Sequence, residues 1–293
     1  AEVLVARSQR NMYDRAVETA GARFVEVGIP DRVSGAGVRD ASAAEFADAI
    51  TPATAAILFV AQPHSEPPLP ALARVAREAG VPLIVDAAAQ LPPAENLRRF
   101  VAVGADLVVF SGGKAIGGPQ ASGILCGRAD LVASALAQML DLDLPEAQFL
   151  PPPEFAPLAQ LAFLPRTGIG RVAKVGREEV IGLLVALRHF AGEAPAARTA
   201  RWQARLDALR AASALHFEAA RQGEVPLLRL RLPDAAAAAR VEARLRLGTP
   251  AVHVNPALLQ AGLLTINPLA LHPRDLPALA ARLAEAMAAE QAG

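Results

Sequence analysis

Between residues 81 and 126 the chain alternates short apolar runs with polar turns, and this alternation narrows the possible folds more than any other feature. The runs are Leu83-Ile84-Val85, Leu107-Val108-Val109-Phe110 and Ile124-Leu125-Cys126. Each is too short for a helix, and runs of this kind suit strands buried on both faces of a parallel sheet. Asp86 follows the first run directly, and Ser111-Gly112-Gly113-Lys114 closes the second. Both polar groups therefore stand just past the carboxyl end of a strand, where open α/β sheets bind their ligands.

A carboxylate and a lysine in those two positions form the constellation that a pyridoxal 5'-phosphate site needs. The lysine makes a Schiff base with the aldehyde, and the aspartate keeps the pyridine nitrogen protonated so that the ring can act as an electron sink. A neutral amide would not hold a pyridinium, which is why the partner must be a full anion. Ala88 is small enough to lie against a flat ring, and the Ser111 hydroxyl suits a phosphate. Gly112 and Gly113 let backbone approach closely, and Gly117-Gly118-Pro119 makes a second tight turn. Taken singly, Asp86 reads rather as a cap for the next segment and Lys114 as a solvated loop residue; the pairing in this frame favours the cofactor.

The rest of the chain fits the same architecture. Short strands are expected at 3–5, 24–27 and 57–60, with helices at 12–20, 45–50 and 69–79. The last of these carries Leu69, Leu72, Val75, Ala76 and Ala79 on one face and stops at Gly80 and Pro82. Strand, crossover helix, strand is the rhythm of a doubly wound parallel sheet. A Gly- and Ser-rich loop is expected at 32–39, a helix at 131–140 and a proline-rich surface connection at 141–165. Residues 175–190 read as an amphipathic helix facing inward through Val180, Leu183, Leu184 and Leu187. Residues 1–192 thus read as a large cofactor-binding domain, and 193–293 as a smaller α/β domain. In the smaller one, a helix is expected at 198–212 and a strand near 215–217. The Leu/Arg alternation at 227–232 suggests a strand with one wet face, and Asp234 a helix cap. A hairpin pairing 251–254 with 263–266 and a final helix from Pro273 complete it.

The segments VDAAAQLPP, ENLRRF and GADLVVFSGGKAIGGPQASG, with TGIGRVAKVGREEVIGLLVAL later, resemble the selenocysteine-synthase-like group of fold type I pyridoxal phosphate enzymes, nearest to its D-glucosaminate-6-phosphate ammonia-lyase branch. The resemblance implies a homo-oligomer with Lys114 as the Schiff-base residue and Asp86 as the pyridine partner. It also implies a phosphorylated amino-acid or amino-sugar-acid substrate. His64, in a turn after an apolar run, reads equally as a cofactor-face residue of the kind these relatives carry and as an ordinary loop histidine. Such a substrate calls for cations, and arginine offers bidentate contacts; Arg10, Arg171 and Lys174 are the candidates, each also readable as a solvated surface charge. Relatives of this group carry a long segment before the position of Ala1, holding the first strand of the sheet and the main phosphate-binding helix N-terminus. The cofactor is accordingly expected to bind this chain weakly or to need a partner subunit.

Composition closes other routes. Lys+Arg and Asp+Glu balance at 29 each, so no net positive field draws in nucleic acid. Cys126 is the sole cysteine, which leaves no intrachain disulfide or cysteine-based metal site, and the histidines show no metal spacing. No apolar run approaches a membrane span, and residues 1–10 lack the pattern of a signal peptide; a cytoplasmic setting is expected. Gly168-Ile169-Gly170-Arg171-Val172-Ala173 matches a dinucleotide fingerprint, but it follows Pro165-Arg166-Thr167 rather than a strand. The leading reading is a pyridoxal phosphate-dependent ammonia-lyase acting by β-elimination. Seryl-tRNA selenium transfer is the alternative with the same cofactor, and a cofactor-deficient remnant or scaffold is the alternative of another class.

Overall fold

The computed structural model describes the chain apart from residues 32–36, 39–40, 142, 144, 152, 154–157, 159–163 and 292–293. Most of the expected loop at 32–39, and the middle of the proline-rich connection at 141–165, lie outside the described residues. The chain divides into two units, Ala1–Phe190 and Ala191–Gly293.

The strands of the first unit are β1 (Glu2–Ala6), β2 (Arg23–Val27), β3 (Pro30–Asp31), β4 (Gly37–Val38), β5 (Thr54–Val60), β6 (Leu83–Asp86), β7 (Leu107–Ser111) and β8 (Gly123–Gly127). Six of them form one sheet in the order β2-β1-β5-β6-β7-β8, while β3 and β4 pair with each other. Neighbours from β2 to β7 run parallel, but β8 is antiparallel to β7. This corrects the expectation that 124–126 would extend the parallel set. A parallel return needs a crossover of roughly a dozen residues or more, usually a helix, whereas the glycine-rich turn after Ser111 simply folds back.

Helices α1 (Arg15–Thr19), α2 (Ala43–Ala49), α3 (Leu69–Ala79), α4 (Asn96–Val103), α5 (Ala129–Ala137) and α6 (Arg177–Gly192) accompany the sheet. The expected helix at 12–20 is a 3-10 turn, Met12–Asp14, followed by the short α1. Asn11 and Asp14 form a reciprocal capping box at its start. Helix α3 buries Leu72, Ala73, Val75 and Ala76, and Gly80 ends it in the left-handed region at φ 67°. These side chains join Leu4, Phe46, Ile57, Phe59, Leu83, Val85, Val108 and Phe110 in the main core. Alternate residues of β6 and β7 point into that core, so Asp86 and Val109 belong to the opposite face. Helix α6 departs from its predicted face. Leu183 and Leu187 turn inward, but Val180 and Leu184 stay about half exposed, as does Ile181. A helix apolar on more than one stripe announces itself by period, yet the period does not choose which stripe is buried.

The second unit holds α7 (Pro195–Ala211), β9 (Glu218–Gln222), β10 (Val225–Arg231), α8 (Ala235–Leu247), β11 (Leu263–Ile266) and α9 (Leu276–Gln291). Its sheet is antiparallel throughout, in the order β11-β10-β9. The expected hairpin between 251–254 and 263–266 is not formed; β11 pairs with β10 instead, and one bridge from Asn255 to Thr265 is all that joins the other segment to it. Beyond that bridge the partner strand ends at Ile266, and Asn267 and Pro268 turn the chain into a 3-10 helix, so the ladder does not continue to 251–254. The strand expected near 215–217 begins at Glu218. Leu228, Leu230, Leu264 and Ile266 pack beneath α7, α8 and α9, and the Asp234 carboxylate caps α8 by accepting from the Ala237 N–H at 2.7 Å. No single helix among the described residues is long and apolar enough to cross a membrane.

Arg240 and Arg244 on α8 both hold Glu290 near the end of α9, with Arg244 at 2.5 Å. Hydrogen bonds from Arg240 and then Arg244 lower the Glu290 carboxyl from 4.5 to about 2. A depressed carboxyl stabilises the fold above its unfolded value and loses that contribution as pH falls through the folded one. Glu290→Gln is therefore expected to flatten the acid-side fall of stability between pH 4.5 and about 2. Denaturant midpoints measured across that window check this, and superimposable pH profiles for variant and parent would refute it.

Candidate active site

Two parallel strands, β5 and β6, end in one row beside the middle of a third, β7. Val60 of β5 is in register with Asp86 of β6, and Asp86 with Val109 of β7. The ladder continues one step further, with the Ala61 N–H donating to the Asp86 carbonyl at 2.8 Å and the Ala87 N–H to the Val109 carbonyl at 2.9 Å. Strand alternation puts Val60, Asp86 and Val109 on the same face of the sheet. Val109 and its β8 partner Leu125 are 37% and 38% exposed, so this face is open to a ligand among the described residues. The half-buried Asp86 accepts the Ala88 N–H at 3.0 Å through Oδ1. That bond orients the carboxylate and leaves its second oxygen for another donor.

The loops beyond the row are tied to one another by amides. Gln9, just after β1 and 6% exposed, accepts the Val60 N–H at 2.8 Å and donates to the Glu66 carbonyl at 2.9 Å. The Ser65 hydroxyl donates to the Val60 carbonyl at 2.6 Å and accepts the Gln62 N–H. Together these fix the turn that carries the exposed His64. Gln90 donates to the Ala61 carbonyl at 2.6 Å, and Asn96 to the Gln90 carbonyl at 2.6 Å, holding the turn that contains the half-buried Ala88. Gln9, Ser65 and Gln90 escaped the sequence reading as positioning groups. Their one signal is a polar residue within a few positions of a strand's carboxyl end.

Lys114 sits in the fold-back between β7 and β8. The Gly112 N–H donates to the Ser122 carbonyl at 2.9 Å, the Gly118 N–H to the Gly112 carbonyl at 2.8 Å, and the Gly117 N–H to the Lys114 carbonyl at 2.9 Å. A Cβ at Gly112 would lie 2.2 Å from Ser122 Oγ and 2.7 Å from Leu183 Cδ1, and one at Gly113 would lie 2.5 Å from Gln120 Oε1. The two glycines thus admit the returning chain and α6, rather than merely offering bare backbone to a ligand. Ile116, two residues after the lysine, is buried against Leu183 and Phe190. The turn is therefore pinned at both ends while Lys114 itself is exposed and, among the described residues, has no ion-pair partner. Ser111 is half-buried at the end of β7, opposite Gly123.

The structure gives the three candidate cations different surroundings. Arg10 bonds Asp14 and Glu26 and lies over the Phe24 ring at 4.6 Å; the Asp14 hydrogen bond holds it above the usual arginine range. Arg171 pairs with Asp141 at 2.8 Å. Lys174, just past the 3-10 turn Ile169–Ala173, is exposed. The Gly168 and Gly170 pair in that region packs on the end of α5. The Gly170 N–H donates to the Gln138 carbonyl at 2.8 Å, and a Cβ at Gly168 would lie 2.0 Å from the same oxygen. Close packing, rather than a nucleotide, accounts for that motif.

Comparison with known proteins bears on what this edge does. The family model described as SelA, L-seryl-tRNA selenium transferase, matches residues 14–144. The chain is 33% identical to a 5'-C-glycyluridine monooxygenase-decarboxylase of Streptomyces sp, over 92% of this chain and 61% of that protein. It is 29% identical to the D-glucosaminate-6-phosphate ammonia lyase of Salmonella typhimurium (strain 14028s / SGSC 2262), over 97% of this chain and 70% of the relative. A solved D-glucosaminate-6-phosphate ammonia-lyase superposes with a TM-score of 0.70 at 27% identity, covering 99% of this chain and 72% of that one.

Because Gly112 meets both Ser122 and Leu183, Gly112→Ala is expected to destabilise the protein by about 2 kcal/mol through overpacking. Equilibrium unfolding in denaturant measures it; an unchanged midpoint would mean that the fold-back can yield.

Proposed function

Belonging to the fold type I family of pyridoxal phosphate-dependent enzymes, and related to the selenium transferases and to the D-glucosaminate-6-phosphate ammonia-lyase branch, the chain is, we propose, a lyase that eliminates ammonia from a phosphorylated amino acid or amino-sugar acid. Asp86 is the observation that carries this reading. One carboxylate oxygen is engaged by the Ala88 amide and the other is left for a ring N–H, on an open sheet face. Lys114 meets the second requirement, an amine with no ion pair to surrender among the described residues, on a turn held rigid by its neighbours. This donor set fits pyridoxal 5'-phosphate. Lys114 would hold the aldehyde end, Asp86 the ring nitrogen and Ser111 the phosphate, with Ala88 against the ring. When bound, the cofactor supplies an electron sink for a negative charge at the substrate Cα.

The chain's own residues account for the remaining work. Val60 and Val109 flank Asp86 in the row and fix its place on the sheet face, where a bound ring would itself cover the carboxylate from water and strengthen its hold on a cationic ring nitrogen. Lys114 would be the base for the substrate Cα proton, and His64, on the turn after β5, would give a proton to the departing β-hydroxyl; one water is lost in that step and one consumed when the substrate's C–N bond is hydrolysed to release ammonia. Lys174 is the candidate for the substrate's anionic group, since Arg10 and Arg171 already have carboxylate partners. Homo-oligomerisation belongs to the same proposal.

The 33% identity over 92% of the chain favours a second reading, oxidative decarboxylation of an amino acid. Selenium transfer is weaker support for the whole chain, because that family model stops at residue 144 and the net charge is zero. Ammonia release from aminosugar-acid phosphates, set against oxygen uptake with carbon dioxide release from amino acids, separates the first two. Neither activity, with no visible absorbance from added cofactor, would favour a cofactor-free scaffold.

Lys114→Ala is expected to lose the borohydride-reducible attachment of the cofactor while keeping the parent's melting temperature, since an exposed lysine adds little packing. Persistence of the reducible adduct would point to a different lysine. Asp86→Asn is expected to keep that attachment but lower turnover by several orders of magnitude, because a neutral amide does not hold a ring cation. Near-parental turnover in steady-state assays would remove the electron-sink role from Asp86.

A further inference from the structure

We propose that the second unit carries an anion site of its own, built from Arg229 and Thr265 on the outer face of its antiparallel sheet, which takes the carboxylate or phosphate group of a small molecule. Leu228 and Leu230 of β10 enter the core, so alternation sends Leu227, Arg229 and Arg231 to the other face. Arg229 lies in register between Glu218 of β9 and Thr265 of β11, and the three side chains form a row across the sheet.

The obvious counter-charge is already taken. Both Glu218 oxygens accept from Arg231, at 2.5 and 3.1 Å, and this hydrogen bonding is the main reason the Glu218 carboxyl lies below its usual range. Arg229 is half-buried with its Nε buried and without a hydrogen-bond partner. Beside it Thr265 is 5% exposed, and its Oγ1 is also buried without a partner. A buried polar group left unpaired costs free energy, and most such groups in folded proteins find a partner. Here two of them are neighbours in the ladder.

Their chemistry selects the ligand class. A guanidinium offers donors only, and a threonine hydroxyl can add one more, so an oxyanion satisfies both, while a cation could meet only the threonine oxygen and is repelled by the guanidinium. With Arg229 and Arg231 set against Glu218, the row keeps a surplus positive charge. Leu227, next to Arg229 on this face, is buried with Trp202 and packed against Leu269, which holds the strand that carries Arg229 in place.

The test uses the full chain, with and without excess pyridoxal phosphate so that any phosphate subsite at the other edge is occupied in one arm. Melting temperature is followed against inorganic phosphate and against acetate, with chloride at equal ionic strength as the control. A saturable rise in the parent, absent in Arg229→Gln, reduced in Thr265→Val and partly kept in Arg229→Lys, is the expected result. Response to phosphate alone marks a phosphate-bearing ligand, and response to acetate alone marks a carboxylate. A parent that responds no more than to chloride overturns the proposal, leaving the two groups to an ordered water. An equal response in Arg229→Gln overturns it too. The readout needs no turnover, so its failure and that of the lyase reading are distinguishable.

Discussion

The parallel pairing of β5, β6 and β7 is the constraint on which the candidate site depends. Parallel pairing puts Val60, Asp86 and Val109 side by side, and successive loops leave the sheet from that row in the same direction. A carboxylate there has valines on both sides and one backbone amide of its own loop beneath it. The pairing cannot slip by one residue without turning Asp86 into the core and Val85 out of it. The apolar interior therefore maintains the placement of Asp86.

The lysine is placed by a different kind of force. Its turn is not part of the ladder, and what holds it is contact at the limit of close packing. Gly112 and Gly113 lie against the returning chain, and Leu183 of α6 closes over Gly112 and Gly118. Buried Ile116 then anchors the far side. A flexible side chain on a rigid turn suits a residue that must exchange one partner for another, since its base stays still while its tip moves.

Amide side chains connect these two arrangements. Gln9 and Gln90 reach between loops whose backbone groups have left the sheet and would otherwise be unpaired. Each amide both donates and accepts or spans two segments, which a shorter residue could not do. The loops at the strand ends are thereby joined from β1 across to β6, and His64 is carried on one of them.

Several of these features were legible in the sequence, and the others were not, for a physical reason. Short apolar runs bounded by turn residues mark strands, because they are too short for a helix; that both faces of β7 and β8 are covered does not follow from them, and Val109 and Leu125 stay 37% and 38% exposed. Glycine at Gly80 and the carboxylate of Asp234 mark helix ends through local backbone chemistry alone. Asp86 and Lys114 could be singled out because strand ends are defined by their immediate neighbours. The reversed direction of β8, the pairing of β11 with β10 and the buried stripe of α6 depend on which distant segments meet. So do the partners of Arg10 and Arg171 and the orphaned pair Arg229 and Thr265. A sequence states what each residue can bond to and how often a face recurs. Which of several possible partners is within reach is decided only when the chain has closed on itself.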